Sequence, residues 1–323
     1  MLRAGVAGVG SLGKMHTASL LTLSDHVSVD ALADPIEERR SGKSLKTQGL
    51  NLGLGEDESA TAEGVRQYDD YRPLCEDKDL DIVFIATPSD LHADAAITAL
   101  ENGKHVFTEK PMALNYEDCL RVIDAAKASG RTLMVGQCLR FYPQYEAAWE
   151  VMKSGKYGKV VAAVLGRHGG TPGGWFREVE RSGGVNLDLH IHDIDTALWW
   201  WGEPDEMASR TVGCPPGASS VLSQWSYKDG PEVQLEASWD AGSGWAASFR
   251  IVLERATVIY KKNSVTVYSG DGKEQIDLEG KPGGHRAEVI YYIDCLVNGS
   301  PVDRCPPEES ALAVKYACGI GRE

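Results

Sequence analysis

Leu2-Arg3-Ala4-Gly5-Val6-Ala7-Gly8-Val9-Gly10-Ser11-Leu12-Gly13 opens the chain with a short β-rich run, Leu2–Ala7, that breaks into spaced glycines and then into a helical pattern. Each glycine of such a Gly-x-Gly-x-x-Gly turn has its own task. The first permits a tight turn, the second lets a pyrophosphate approach the backbone, and the third lets helix pack closely on strand. Gly8, Gly10, Ser11, Leu12 and Gly13 then bring amides and the positive end of a helix dipole to a phosphate. A glycine turn alone is weak evidence, because glycine is common in turns; its place between strand and helix gives it weight. The second strand, Val27–Ala33, ends at Asp34, 24 residues beyond Gly10. A carboxylate there accepts hydrogen bonds from the adenosine ribose hydroxyls and repels a 2′-phosphate. NAD is therefore expected in preference to NADP, with Arg39 and Arg40 as neighbours able to soften the repulsion.

Working outward, strand patterns at Ile82–Ala86, His105–Thr108 and Thr132–Val135 alternate with helical patterns at Leu91–Asn102 and Tyr116–Ser129. Such alternation builds a parallel sheet covered on both faces. The run from Gly49 to Gly64, rich in Gly, Ser, Thr and acids, reads as a surface loop. After Gly136 the pattern changes. Tyr145, Ala148, Trp149 and Met152 mark an amphipathic helix, Val160–Arg167 a strand, and Ile194, Ala197, Leu198 and Trp201 another helix. From about 206 to 280 the chain turns to β, most clearly where Val233, Leu235, Ala237 and Trp239 alternate with Gln234, Glu236 and Ser238. Lys228-Asp229-Gly230 and Gly270-Asp271-Gly272 supply hairpin turns. Val289, Tyr292, Ile293 and Leu296 then share a helical stripe. The expected fold is α/β: a dinucleotide-binding domain over 1–125, then an α+β domain over 126–323 with a large, mostly antiparallel open sheet. The second domain is expected to serve substrate binding and oligomerisation, and the last helices to be able to pack back on the first. The outer face of the open sheet must meet water or a second subunit.

Composition limits the function classes. The 323 residues are 42% hydrophobic and 25% charged, enough apolar residue to bury a core in each of two domains. A formal net charge of −14 repels phosphate backbones and anionic membrane surfaces, so neither nucleic acid nor membrane is an expected partner. The seven cysteines are scattered, with no Cys-x-x-Cys pair, which speaks against a disulfide framework or a structural zinc site. Met1-Leu2-Arg3 runs straight into a strand pattern without the apolar stretch of a signal peptide, and Leu198–Trp201 is too short to span a bilayer. A soluble, cytoplasmic protein without a bound metal is expected.

Two further features bear on chemistry. Glu109-Lys110-Pro111 follows a strand directly. Ligands of open α/β sheets sit beyond the carboxyl ends of the strands, so Lys110 is delivered to the cofactor crevice, although a lysine in such a place is often only solvated. In Gly183-Gly184-Val185-Asn186-Leu187-Asp188-Leu189-His190-Ile191-His192-Asp193, a spacing of four puts Asp188 and His192 on one face. An acid beside an imidazole suits proton transfer; an Asp-rich helix start with His192 as filler is the plainer reading. Trp175 and Arg177, after the loop Gly169–Gly174, form a candidate substrate lid, in which an aromatic ring stacks on an apolar sugar face and arginine bonds hydroxyls.

Taken together, Gly8, Gly10, Gly13 and His16; Ala86-Thr87-Pro88 with His92; Glu109-Lys110-Pro111; and Gly183-Gly184 followed by Asp188, His192, Asp195, Trp199 and Gly202 resemble the glucose–fructose oxidoreductase / inositol dehydrogenase / MocA family. The likeness runs along nearly the whole chain and in order. It implies a Rossmann domain, a second domain with a large open sheet, and assembly as a homodimer or homotetramer. It also implies that Lys110, Asp188 and His192 are the catalytic residues and that Thr87, Pro88, His92, Glu109 and Lys110 contact NAD. Arg140, in Leu139-Arg140-Phe141-Tyr142-Pro143, matches a motif near the pocket. His190 departs from the pattern, where relatives often carry glycine, and is expected to reshape the substrate pocket.

The expected activity is hydride transfer between NAD and a secondary alcohol or ketone of a sugar, sugar derivative or cyclitol. His192 is the first choice of general base, since an imidazole titrates near neutral pH. Lys110 is its competitor for that role, because a desolvated lysine beside cations loses its proton readily. Three alternatives stand beside this reading: an NAD-dependent glycosidase that oxidises transiently, a non-catalytic NAD-sensing regulator, and a metal hydrolase using His190, His192 and Asp193. The last lacks a third ligand at a familiar spacing.

Overall fold

The computed structural model describes residues 1–43, 62, 64–213, 218–240 and 244–319, so the expected loop from Gly49 to Gly64 lies almost wholly outside the described residues. The chain divides into two units, Met1–Phe141 with Pro282–Ala311, and Tyr142–Lys281 with Leu312–Glu323.

Strands β1 (Leu2–Ala7), β2 (Val27–Ala33), β3 (Arg66–Tyr68), β4 (Ile82–Ile85), β5 (His105–Glu109) and β6 (Leu133–Gly136) form the sheet of the first unit. Their order is β3-β2-β1-β4-β5-β6, and every pairing is parallel. Helices α1 (Ser11–Leu21), α2 (Glu37–Arg40), α3 (Tyr71–Glu76), α4 (His92–Glu101) and α5 (Tyr116–Ser129) lie between them. The central strand β4 is buried along its whole length, the near-continuous apolar run Ile82-Val83-Phe84-Ile85 that a doubly covered strand requires. Helix α5 shows how the sequence sets its own limits. Asn115 accepts the Asp118 amide at 2.8 Å at its start, and Gly130 takes a left-handed φ of 65° at its end. The strand order reverses between β1 and β4, which makes the carboxyl ends of these two strands the switch point where open α/β sheets bind ligands.

The second unit carries an eight-stranded sheet. Helix α6 (Pro143–Lys153), β7 (Val160–Gly170), α7 (Val179–Ser182), α8 (Ile191–Trp201), β8 (Glu206–Gly213), β9 (Ser219–Ser226), β10 (Glu232–Asp240), β11 (Ala246–Leu253), β12 (Ala256–Lys261), β13 (Ser264–Ser269) and β14 (Gly272–Ile276) follow in order. In the sheet they run β14-β13-β12-β11-β7-β10-β9-β8, antiparallel throughout except for β7 beside β10. The period-two reading holds along β10: Val233, Leu235, Ala237 and Trp239 are buried, whereas Gln234 and Glu236 are exposed. Tyr145 of α6, Trp200 of α8, and Phe249 and Tyr260 of the sheet join rings across the helix–sheet layer, with centroids 5.2–6.0 Å apart.

The chain then returns. Helix α9 (Gly284–Asn298) belongs to the first unit, and α10 (Pro307–Gly319) divides between the units after Ala311. Tyr292 of α9 sets its ring against Phe84 and Phe107, themselves stacked at 4.9 Å, and donates its hydroxyl to the Thr132 carbonyl at 3.2 Å. The boundary drawn from sequence at 125/126 differs from this division of the chain into units, which places residues up to Phe141 in the first. Strand β6 completes the parallel sheet, and the stripe Val289, Tyr292 and Ile293 covers that sheet's core, so both count with the first unit.

Candidate active site

The glycine turn has the geometry its residues require. Gly8 has φ +86°, and a Cβ there would stand 2.5 Å from the Ala86 carbonyl oxygen, so the turn lies directly against the chain leaving β4. A Cβ on Gly13 would come within 1.8 Å of the Gly8 carbonyl, the close helix–strand approach that demands a third glycine. Gly10 differs: among the described residues nothing lies within 4 Å of the position its Cβ would take. Its φ of −74° suits any residue, so neither packing nor backbone requires glycine there. What remains is open space in front of the start of α1, where no side chain caps the helix. Ser11 is exposed and Leu12 half-buried beside it. Asp34 turns its carboxylate inward, accepting the Val9 and Ile36 amides at 2.9 Å each, with the Arg39 guanidinium 3.9 Å away. At the carboxyl ends of β4 and β6, Thr87 Oγ1 and both polar atoms of Gln137 are buried without a hydrogen-bond partner among the described residues. Buried polar atoms are rarely left so unless a water or a bound molecule meets them. An open cradle and an uncapped helix start at the switch point, with orphaned polar atoms at the carboxyl ends of β4 and β6, fit a dinucleotide.

Around that point the expected NAD-contacting residues divide. Pro88 and Lys110 are half-buried. His92 is buried, its Nδ1 2.7 Å from the Pro111 carbonyl and its Nε2 2.8 Å from the Thr87 carbonyl. It joins the segments that follow β4 and β5, so its ring supports the cradle where contact with the cofactor was expected. Carbonyls only accept, so a neutral ring satisfies one of them at a time. Burial pushes the imidazole pKa down, against the pull of the two carbonyls upward. Glu109 is also buried, with Oε1 2.6 Å from His16 Nε2 on α1. Burial by itself would raise the Glu109 carboxyl; the hydrogen bond and charge of His16, with His285 and Lys110, outweigh it and hold the group below the usual carboxylate range. The sequence marked His16 as part of a motif but not as the partner of Glu109. Its only local signal was its position three residues past the last glycine, on the face α1 buries.

In the second unit, Asp188 lies in a π-helical turn, Asn186–His190, that runs into α8, where His192 sits in the first turn. Single π turns inside helices occur frequently at functional sites. Asp188 is half-buried and His192 buried at 9% exposure. His190 is fully buried, its Nε2 2.8 Å from Ser223 Oγ on β9. Burial first, then the nearby charge of Arg167, pushes its pKa down to about 3, so the ring stays neutral. The sequence expects His190 to reshape a substrate pocket; in the fold its ring lies between α8 and β9. Asp193 is engaged as well. Arg167 on β7 grips both its carboxylate oxygens, at 2.6 and 2.8 Å, and reaches the Tyr145 hydroxyl at 3.3 Å, with both charged groups 1% exposed. Among the described residues, the His/Asp/Glu group close enough to share a metal ion is His16, Glu109 and Glu288, and it does not include His190, His192 and Asp193.

Arg140, expected near the pocket, has partners within its own unit. It is 1% exposed, donates to the Arg304 carbonyl at 3.2 Å and pairs with Glu309, while Arg304 donates back to the Arg140 carbonyl and lies over the Phe141 ring. It fastens the turn after β6 to the returning segment of the same unit and leaves no guanidinium face for a substrate. Trp175 stacks on Phe176 with ring centroids 4.0 Å apart, and Arg177, exposed, donates to the Pro172 carbonyl at 2.9 Å. No helix among the described residues is long and apolar enough to cross a membrane.

Comparison with known proteins matches residues 2–137 to the GFO/IDH/MocA oxidoreductase family model with an NAD-binding Rossmann fold, and residues 145–259 to the GFO/IDH/MocA C-terminal domain. The scyllo-inositol 2-dehydrogenase (NAD(+)) of Bacillus subtilis (strain 168) is 30% identical over 315 residues, covering 92% of this chain and 87% of that one. The 2,7-anhydro-N-acetylneuraminate hydratase of Escherichia coli (strain K12) is 30% identical over 264 residues, 78% of this chain; the match spans 65% of the hydratase, just under two thirds of its length. Among solved structures, a levoglucosan dehydrogenase in complex with NADH and levoglucosan superposes with a TM-score of 0.83 at 19% identity, covering 99% of this chain and 96% of that one. That last likeness speaks for the fold.

Proposed function

Since the chain belongs to the GFO/IDH/MocA family of oxidoreductases with an NAD-binding Rossmann fold, we propose that it is an NAD-dependent dehydrogenase acting on a secondary alcohol of a sugar, sugar derivative or cyclitol. The observation that carries the reading is the cradle at Gly10, open in front of the uncapped start of α1 at the switch point, with Lys110 following β5 in the same sheet. Residues Gly8–Gly13 would hold the pyrophosphate through their amides, and Asp34 the adenosine ribose. NAD, once held there, would supply the acceptor for the hydride of the alcohol carbon. The protein's own task is the hydroxyl proton. His192 takes it as general base, Asp188 orients the imidazole, and Lys110 donates a hydrogen bond to the substrate oxygen and steadies its developing negative charge. Trp175 and Arg177 would cover the substrate.

The test is a nicotinamide absorbance screen over inositols, aldoses, ketoses and sugar acids, with NAD and NADP in parallel, followed by Lys110→Met and His192→Ala. Loss of a proton-transfer group lowers turnover by about 10²–10⁴-fold. His192→Ala should also remove the acid limb of the pH profile. Both variants turning over like wild type, with NAD binding intact, would refute the assignment. The similarity to a protein named as a hydratase supports a second reading, redox-neutral chemistry through transient oxidation. Product formed without net NADH would decide for it.

A further inference from the structure

Behind Lys110, four side chains from distant parts of the sequence meet inside the first unit. His16 comes from α1, Glu109 from the end of β5, and His285 and Glu288 from α9. One ligand-type atom each of His16, Glu109 and Glu288 lies within 4.8 Å of the others, and the three residues are 0%, 2% and 0% exposed. His285 Nδ1 approaches Glu288 Oε1 at 3.4 Å and its ring also bonds Cys138, which follows β6. The Nε2–Oε1 separation of 2.6 Å between His16 and Glu109 is that of a hydrogen bond. Two donors on a tetrahedral cation with bonds of about 2.0–2.1 Å would stand roughly 3.3 Å apart.

We propose that Glu288 is a positioning residue, a neutral carboxyl within 4.8 Å of Glu109 and His16 that spares the Glu109 carboxylate a like charge, so that Glu109 stays on His16 and holds the backbone that presents Lys110. Two carboxylates this close and this dry cannot both ionise, so the pair holds one proton. Glu109 has the better claim to the charge. His16 donates to its Oε1, and the Lys110 amide points at its Oε2 from 3.3 Å. Glu288 Oε2 has no hydrogen-bond partner among the described residues, and its Oε1 has only the 3.4 Å approach of His285. Burial, and then the charge of Glu109, push the Glu288 carboxyl well above the usual carboxylate range, in agreement with the geometry. The groups around it are His16 and Glu109, and His285 on its own helix; Cys138 bonds that His285, and the charge of Lys110 acts on both Glu109 and His285. The inference deepens the reading above and rests on it in one respect, that Lys110 is the group being held.

Three measurements on Glu288→Gln and Glu288→Leu test this. In infrared difference spectra at pH 7, wild type should show the carbonyl stretch of a protonated carboxyl that Glu288→Gln lacks. A carboxyl whose folded pKa is raised contributes most to stability below its unfolded pKa, about 4.3, and loses that contribution as pH rises. The Tm of Glu288→Gln should therefore gain on wild type by about 3 °C or more between pH 5 and pH 8. NADH affinity, read by fluorescence, should stay within about twofold for the neutral isostere and fall by about tenfold for Glu288→Leu, the scale of one buried polar contact. The proposal is overturned if the protonated band is absent, if the Tm difference does not widen with pH, or if Gln and Leu weaken NADH binding alike. A wild-type protein that binds no NADH would overturn the proposed function instead, while band and stability still decide the state of Glu288.

Discussion

Gly10→Ala separates the needs of the ligand from the needs of the fold. The Cβ it adds meets nothing within 4 Å among the described residues, and the backbone angles at Gly10, φ −74° and ψ −158°, are open to alanine. Stability should therefore hold or rise, by about 0.4–1 kcal/mol, as the unfolded chain loses freedom. A pyrophosphate seated at the start of α1 would feel the methyl directly. Displacing one charge-assisted hydrogen bond costs about 1.5–3 kcal/mol, roughly 10- to 150-fold in Kd. The neighbouring Gly13→Ala is the contrast, because its Cβ would fall 1.8 Å from a backbone carbonyl that no side-chain rotation can clear. Overpacking of that kind costs about 1–3 kcal/mol or more, so this variant should lose stability before binding is even measured. Fluorescence titration with NADH and urea denaturation, run on both variants, give the four numbers. A Gly10→Ala protein that is as stable as wild type and binds NADH equally well would show that no phosphate uses the cradle.

Two further outcomes follow from the buried polar groups. His190, its pKa pushed down to about 3, stays neutral in the folded protein while the unfolded chain takes up a proton below about pH 6.5. Its contribution to stability is therefore present above that pH and is lost as pH falls, by about 1.4 kcal/mol per pH unit down to the folded value; urea melts of wild type and His190→Asn between pH 4 and pH 8 should diverge with that slope, and parallel curves would contradict it. Asp34→Ala removes the acceptor of the Val9 and Ile36 amides and the charge opposed to a 2′-phosphate. It should cost about 1–3 kcal/mol in stability and narrow the preference for NAD over NADP by at least about tenfold, read as the ratio of kcat/KM values, and an unchanged ratio would remove Asp34 from cofactor selection.

What could be read in the sequence was what a few consecutive residues decide. The glycine turn, the strand Leu2–Ala7, the helix Tyr116–Ser129 and the alternation along Val233–Trp239 each carry their structure in local spacing, and each stands where the spacing put it. The buried carboxyl pair was out of reach: Glu288 is separated from Glu109 by a whole second unit, and the need for one proton between them exists only once the chain has folded. The partners of Arg140 were out of reach for the same reason, since Arg304 and Glu309 arrive with the returning segment.

His190 is the more instructive case, because the spacing that recommended its neighbours already spoke against it. Four residues on from Asp188, His192 returns to nearly the same side of the segment, whether the turn is α, at 3.6 residues, or the wider π turn found here. Two residues on, His190 has swung by roughly 160–200° under either geometry, so it faces away from whatever Asp188 and His192 face. The side opposite a candidate site, on a segment packed over a sheet, is the sheet itself, and Ser223 of β9 is what the ring meets there. A polar residue between two candidate catalytic residues thus earns a pocket role only if its spacing matches theirs, and a spacing of two implies a buried partner to be sought among the inward positions of the strands.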